Sequence, residues 1–229
     1  MNSEGIKNEV YVNDIYKLKG YSFQRLPKYV VDIGANVGWF SKLAAERFPK
    51  TNILAYELIE DNYKQCVKLN KPHSNVRVYN KAIIGNNSVK SVFLHPTNIG
   101  GHKPLFAGDS SYISEERFKE TFRHHNKKDY DNREDLDIPS QISVKDIIEE
   151  HNIDYIDFLK LDCEGSEYEI LPHIFQNNLD DKILNLAMEI HGINTPEYLS
   201  LLMQLKDKFD YYKQIGQIIY CKNYIKEDI

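Results

Sequence analysis

Four side chains at the ends of two short apolar runs are of types that move protons or hold cations. Asp162 and Glu164 follow Phe158-Leu159-Lys160-Leu161, and Glu189 and His191 lie at the close of the run Ile183 to Ile190. Carboxylates with a histidine serve as general acid and base when a cleft brings them within hydrogen-bond reach of a substrate. The same donor set suits magnesium or manganese, so a divalent cation is compatible with it, although no spacing demands one. Strand alternation puts Glu189 and His191 on one side of their strand. A purely structural use competes with these: acids capping a helix that begins near Ser166, where carboxylates are favoured.

A second constellation has the form of a cofactor loop. Asp32-Ile33-Gly34-Ala35-Asn36-Val37-Gly38 leads from an apolar strand into a helix. Glycines at 34 and 38 allow positive φ or close approach of a ligand, and the helix start offers free N–H groups. Asn36 stands where a dinucleotide fingerprint has its second glycine. A side chain there obstructs a pyrophosphate, which argues against an NAD enzyme, and no Gly-Lys-Ser/Thr follows for a Walker loop. Glu57 ends the next strand about 20 residues on, where a carboxylate reaches ribose hydroxyls.

These groups need strands that end together. Tyr29–Ile33, Asn52–Glu57, Val76–Tyr79, Tyr155–Leu161 and Ile183–Ile190 read as strands, with Val89–Leu94 as an extra one. Helical spacing predicts Trp39–Phe48, stopped by Pro49, then Asp61–Asn70 with Asp61 as N-cap, and Ser143–Glu150. Ser166–Phe175, interrupted or tilted at Pro172, and Pro196–Lys208 complete the helices. Phe209–Tyr212 and Gln217–Cys221 read as an antiparallel hairpin turned at Gly216. Alternating strands and helices predict an α/β fold with a mostly parallel sheet, whose ligands sit outside the carboxyl ends of the strands. The reading is one domain over residues 1–229, with an N-terminal extension over 1–25. A polar stretch over 95–141, compatible with a helix at Glu115–His125, is read either as a substrate-recognition or lid insertion or as a flexible linker.

Composition narrows the class. The chain has 229 residues, 41% hydrophobic and 28% charged, as in an ordinary globular enzyme. Cys66, Cys163 and Cys221 are odd in number and without CxxC spacing, which argues against a disulfide framework or zinc site. No run approaches the roughly 18 apolar residues of a membrane span, and the N-terminal stretch lacks a signal peptide's features; a cytoplasmic location is expected. The net charge of −5 argues against nucleic acid as a partner. The basic patch Arg123 to Lys128 runs directly into the acidic Asp129 to Asp137 and reads as a solvated loop.

Several segments resemble a known family. Val31 to Ser41, Ala55-Tyr56-Glu57 and Asn80-Lys81-Ala82-Ile83 resemble successive cofactor motifs of class I S-adenosylmethionine methyltransferases. Phe158 to Glu167 is similar to the K-x-D-x-E-G-x-E segment of the FkbM-type members, and Ala187 to His191 resembles the E-x-H ending of their next strand. The resemblance implies a Rossmann-like class I methyltransferase fold, with a seven-stranded sheet and a C-terminal antiparallel hairpin. It implies S-adenosyl-L-methionine as cofactor, its methionine end held by Asp32 and the loop of Gly34, Asn36 and Gly38. Glu57 would take the ribose diol, and Lys81 and Ala82 would flank the adenine. Asp162 would lie near the methionine moiety, leaving His191 or Glu164 as the general base. The expected reaction is O-methylation of a sugar, glycan or related small-molecule hydroxyl.

Two alternatives stand beside it. A nucleic-acid methyltransferase would carry Asn/Asp-Pro-Pro-Tyr where this chain has Leu161-Asp162-Cys163-Glu164, or a Pro-Cys nucleophile. A non-catalytic Rossmann-like binding protein would be free to lose Gly34, Gly38 and Glu57, which are intact.

Overall fold

Strands buried on both faces carry apolar residues without alternation, and runs such as Tyr29-Val30-Val31 and Phe158-Leu159 make the centre of this molecule. The structure is a computed structural model that describes residues 2–93, 102–106, 138–193 and 195–225. The chain opens with α1 (Ser3–Ile6), capped by Asn2 and continued as one π-helical stretch, Lys7–Val12. Then come β1 (Tyr29–Ile33), α2 (Trp39–Arg47), β2 (Asn52–Glu57), α3 (Glu60–Asn70) and β3 (Val76–Asn80). Four short strands follow: β4 (Ala82–Ile84), β5 (Val89–Phe93), β6 (Lys103–Phe106) and β7 (Gln141–Ser143). The remainder is α4 (Val144–Glu150), β8 (Phe158–Leu161), α5 (Glu167–Gln176), β9 (Asn185–Glu189), α6 (Pro196–Lys208), β10 (Tyr211–Ile215) and β11 (Ile218–Lys222).

The main sheet has seven strands in the order β10-β11-β9-β8-β1-β2-β3. The five strands from β9 to β3 run parallel, while β11 lies antiparallel between β9 and β10. This is the mostly parallel seven-stranded class I arrangement with its terminal hairpin, and Gly216 takes positive φ at the hairpin turn. Winding starts at β1 and proceeds outward in both directions, so β1 and β8 flank the point where connections diverge. A crevice opens there above the carboxyl ends of the strands.

Alternation sends neighbouring residues of the central strands into two separate cores. Val31, Ile33 and Leu159 pack with Ile147 of α4, Ile174 of α5 and Leu205 of α6. Val30 and Phe158 face the other way, against Phe40 and Leu43 of α2 and against Ile6, Val10, Tyr16 and Leu18 of the N-terminal segment. Leu159 is fully buried, and its truncation to alanine would cost about 2–5 kcal/mol.

The residues read as an N-terminal extension are pinned along their length. Asp14 accepts from the Leu18 and Lys19 N–H groups at 2.8 and 2.7 Å, the Tyr220 hydroxyl donates to the Ile15 carbonyl, and Tyr21 donates to Asn185 at 2.6 Å. Arg25 pairs at 2.9 Å with the buried Asp157.

Local departures from expectation have local causes. Helix α3 starts at Glu60 rather than behind an Asp61 cap: Glu57 Oε1 accepts the Ile59 N–H at 2.8 Å. Asp61 falls in the first turn, where the helix dipole still favours it. Helix α4 does carry a side-chain cap, a reciprocal box between Ser143 and Asp146. The extra strand β5 forms, but pairs with β6 in a small sheet of its own, and β4 pairs with β7. Helix α5 contains Pro172 without ending there. The expected helix at Glu115–His125, and most of the 95–141 segment, lie outside the described residues. Among the described residues, no helix is long and apolar enough to cross a membrane.

Candidate active site

The cofactor loop is built on a buried acid. Asp32, facing α2, is fully buried, with Oδ2 accepting from Ser41 Oγ at 2.6 Å and Oδ1 3.2 Å from Lys160 Nζ. Lys160 sits inside β8 and also donates to the Gly34 carbonyl at 2.6 Å. Burial works against its charge, yet Asp32 and Asp162 hold it above the usual lysine range. One ammonium thus ties the end of β1, the loop after it and the end of β8 together.

The two loop glycines answer contacts within the protein. Gly34 has φ of +74°, and a Cβ there would come 1.8 Å from the Asp162 carbonyl oxygen. Gly38 has φ of +93°, and a Cβ would meet Asn70 Nδ2 at 2.4 Å and Cys66 Sγ at 2.7 Å. The first lets the loop cross the end of β8, and the second lets α2 start against α3. Between them Asn36 takes a left-handed φ of +52°, which asparagine tolerates better than most residues. Its N–H donates to Glu57 Oε2 at 2.7 Å. Glu57 therefore holds the loop and the start of α3 at once. Burial pushes its carboxyl up to about 7, against the pull of the Ile59 and Asn36 N–H groups.

At the far end of the cleft the four expected catalytic side chains converge. His191 Nε2 lies 3.7 Å from Glu164 Oε2 and 4.0 Å from Asp162 Oδ1, and Nδ1 is 3.2 Å from Glu167 Oε1. Burial opposes the imidazolium, but the carboxylates of Glu167, Glu164 and Asp162 outweigh it and raise His191 to about 10. Glu189 goes up to about 7 through burial and the nearby Asp162 charge. Asp162, Glu189 and His191 can each bring one donor atom within 4.8 Å of the others. Both His191 nitrogens face carboxylates, which hold the ring protonated.

The capping use of these acids falls elsewhere. Glu167, fully buried, accepts the Cys163 N–H at 3.0 Å ahead of α5, while Asp162, Glu164 and Glu189 open on the cleft. Glu164 does so from a left-handed φ of +53°, uncommon for a residue with a side chain.

The cleft has a cavity volume of about 240 Å³. Gly34, Asn36, Glu57, Lys81, Ala82, Asp162, Glu164, Glu189 and His191 all line it, whereas Asp32 and Gly38 lie beneath its walls. Lys81 is tied to Glu150 at 3.2 Å at the rim. The donor set fits S-adenosylmethionine: a buried carboxylate for a diol, the apolar Leu58, Ile59, Ala82 and Ile83 for a purine, and carboxylates at the other end for cationic groups. Sequence reasoning missed Lys160, Glu167 and Tyr16 as parts of the site. The first two stand in the quoted motif, Lys160 as the one charge inside an apolar strand; Tyr16 carried no signal.

Comparison with known proteins identifies the family of the chain. The methyltransferase FkbM domain matches residues 32–211. The chain is 25% identical to methyltransferase sdnD of Sordaria araneosa over 200 residues, which cover 80% of this chain and 75% of that one. The METTL16 MTase domain superposes with a TM-score of 0.48 at 12% identity, over 94% of this chain and 67% of that one. Fibrillarin of Aeropyrum pernix, with natively bound S-adenosyl-L-methionine, superposes with a TM-score of 0.42 at 13% identity, over 89% and 71%. On the family match, which spans most of its length, the chain belongs to the FkbM methyltransferase domain family, and is an S-adenosylmethionine-dependent methyltransferase.

Proposed function

We propose that this methyltransferase acts on a hydroxyl of a sugar, glycan or related small molecule, in the cleft above β1, β2, β8 and β9. The observation that carries the reading is one cleft with Glu57 at one end and Asp162, Glu164, Glu189 and His191 at the other. Glu57 holds the ribose diol, Lys81 and Ala82 flank the adenine, and Gly34, Asn36 and Asp162 receive the methionine end. Asp32 and Gly38 act from beneath, by holding Lys160 and seating α2.

When bound, S-adenosylmethionine supplies an electrophilic methyl group on a sulfonium. The chain's own work is to align an acceptor oxygen, exclude water and take a proton. Glu189 suits the last task, since a carboxylate raised to about 7 is basic enough to help near neutrality. His191, held protonated, orients the carboxylates around it, and Glu164 closes the same wall. An acceptor end lined with carboxylates, on a chain of net charge −5, favours an acceptor without phosphates over a nucleic acid.

The test is transfer of labelled methyl from S-adenosylmethionine to a panel of sugars and polyols, with RNA and DNA oligonucleotides alongside and each reaction repeated in EDTA. Label on a polyol oxygen is the expected result, and its loss in EDTA would assign Asp162, Glu189 and His191 to a cation. Label on nucleic acid alone overturns the acceptor class.

A further inference from the structure

The family match begins at residue 32, yet the segment before it reaches the reacting end of the cleft. Ile6, Val10, Ile15 and Tyr16 line that end. Tyr16 is fully buried, and its hydroxyl donates to Asp162 Oδ2 at 2.8 Å. Its ring stands edge-on to Phe40 with centroids 5.6 Å apart, and the Lys160 ammonium lies 5.7 Å from its centroid. The backbone is fastened on both sides, by the Tyr220 bond to the Ile15 carbonyl and by Asp14 gripping the Leu18 N–H. The phenol is therefore a fixed donor, and burial together with the Asp162, Glu189 and Asp32 carboxylates keeps its proton in place.

Asp162 has two competing neighbours. Lys160 Nζ is 3.9 Å from the same Oδ2 and already 3.2 Å from Asp32. Asp162 Oδ1 points the other way, 4.0 Å from His191 Nε2. A carboxylate in this position would be drawn towards Lys160 unless something held it.

We infer that Tyr16 is a positioning residue: its hydroxyl fixes the Asp162 carboxylate, so that one oxygen is pinned and the other is presented to the methionine end of the cofactor. The N-terminal segment is then part of the methyl-transfer site. The inference rests on the reading that Asp162 meets the cofactor, and that reading is tested separately by Asp162→Ala.

The experiment is calorimetric titration of the full chain with S-adenosylhomocysteine, using Tyr16→Phe, Asp162→Ala and the double variant, with melting temperatures for each. Tyr16→Phe keeps the ring and removes only the donor. The expected result is about tenfold weaker binding for Tyr16→Phe, on the scale of one charge-assisted hydrogen bond, and less than about twofold further loss when Asp162 is already alanine. Equal losses in both backgrounds would mean that the hydroxyl acts through general packing, and no loss in the parent would remove its role; either overturns the inference. Undiminished binding by Asp162→Ala would overturn the reading of Asp162, and the positioning role with it.

Discussion

Lys160 Nζ lies 3.2 Å from Asp32 Oδ1, and both side chains are cut off from solvent between the first strand and its neighbour. An ion pair at the strand junction explains how a loop of small residues is held firmly: the same ammonium takes the Gly34 carbonyl. Breaking one partner of such a pair leaves an uncompensated buried charge.

Lys160→Met should accordingly destabilise the fold by about 3–5 kcal/mol, through the stranded Asp32 carboxylate rather than through lost volume. Urea unfolding of the variant measures this. Asp32→Asn combined with Lys160→Met should recover a large part of the loss, because the charge is then gone from both sides. A double variant as unstable as the sum of the two single ones would refute the pairing.

The proton-accepting role of Glu189 sets the pH profile. Its carboxyl is raised to about 7, by burial first and by Asp162 second, and only the ionised form takes a proton. Methyl transfer to an accepted polyol should therefore rise as pH passes through about 7 and level off above it. Glu189→Gln should lower kcat by about 10²- to 10⁴-fold and abolish that inflection. A flat profile between pH 6 and 8 in the parent would count against the assignment.

His191 links stability to pH in the opposite sense to a paired acid. Its value rises from 6.5 to about 10 on folding, mainly through Glu167 working against burial. The stabilisation is fully present below about 6.5 and is lost as pH rises through about 10. Glu57, raised from 4.5 to about 7 by burial, also favours the more acidic side, its contribution falling between those values. The melting temperature should decline steadily from pH 6.5 to pH 10, and His191→Gln should flatten that decline. An unchanged slope in the variant would show that the imidazolium is not the source.

Much of this arrangement was legible in the residues, for physical reasons. Asn36 and Glu57 carry meaning by position, one inside a strand-to-helix turn and the other at a strand end, and both line the cleft. The long strands announced themselves because burial on both faces forces apolar runs. Tyr16 was not legible: its bond to Asp162 spans 146 positions, and no periodicity marks the segment that carries it. Strands β4 and β7 have three residues each, too few to show a period of two. Spacing offered Gly38 either a positive φ or close approach of a ligand, and it does not say where an added Cβ would point. In the fold it points at Asn70 and Cys66.

If S-adenosylmethionine lies in the cleft with its ribose on Glu57, calorimetric titration of the full chain and of Glu57→Ala will show it. Micromolar binding of S-adenosylmethionine and S-adenosylhomocysteine, weakened at least about 100-fold in the variant while NAD fails to bind either protein, is the predicted result. Equal affinity in the parent and in a folded Glu57→Ala protein would contradict it, and with it the assignment of the whole cleft.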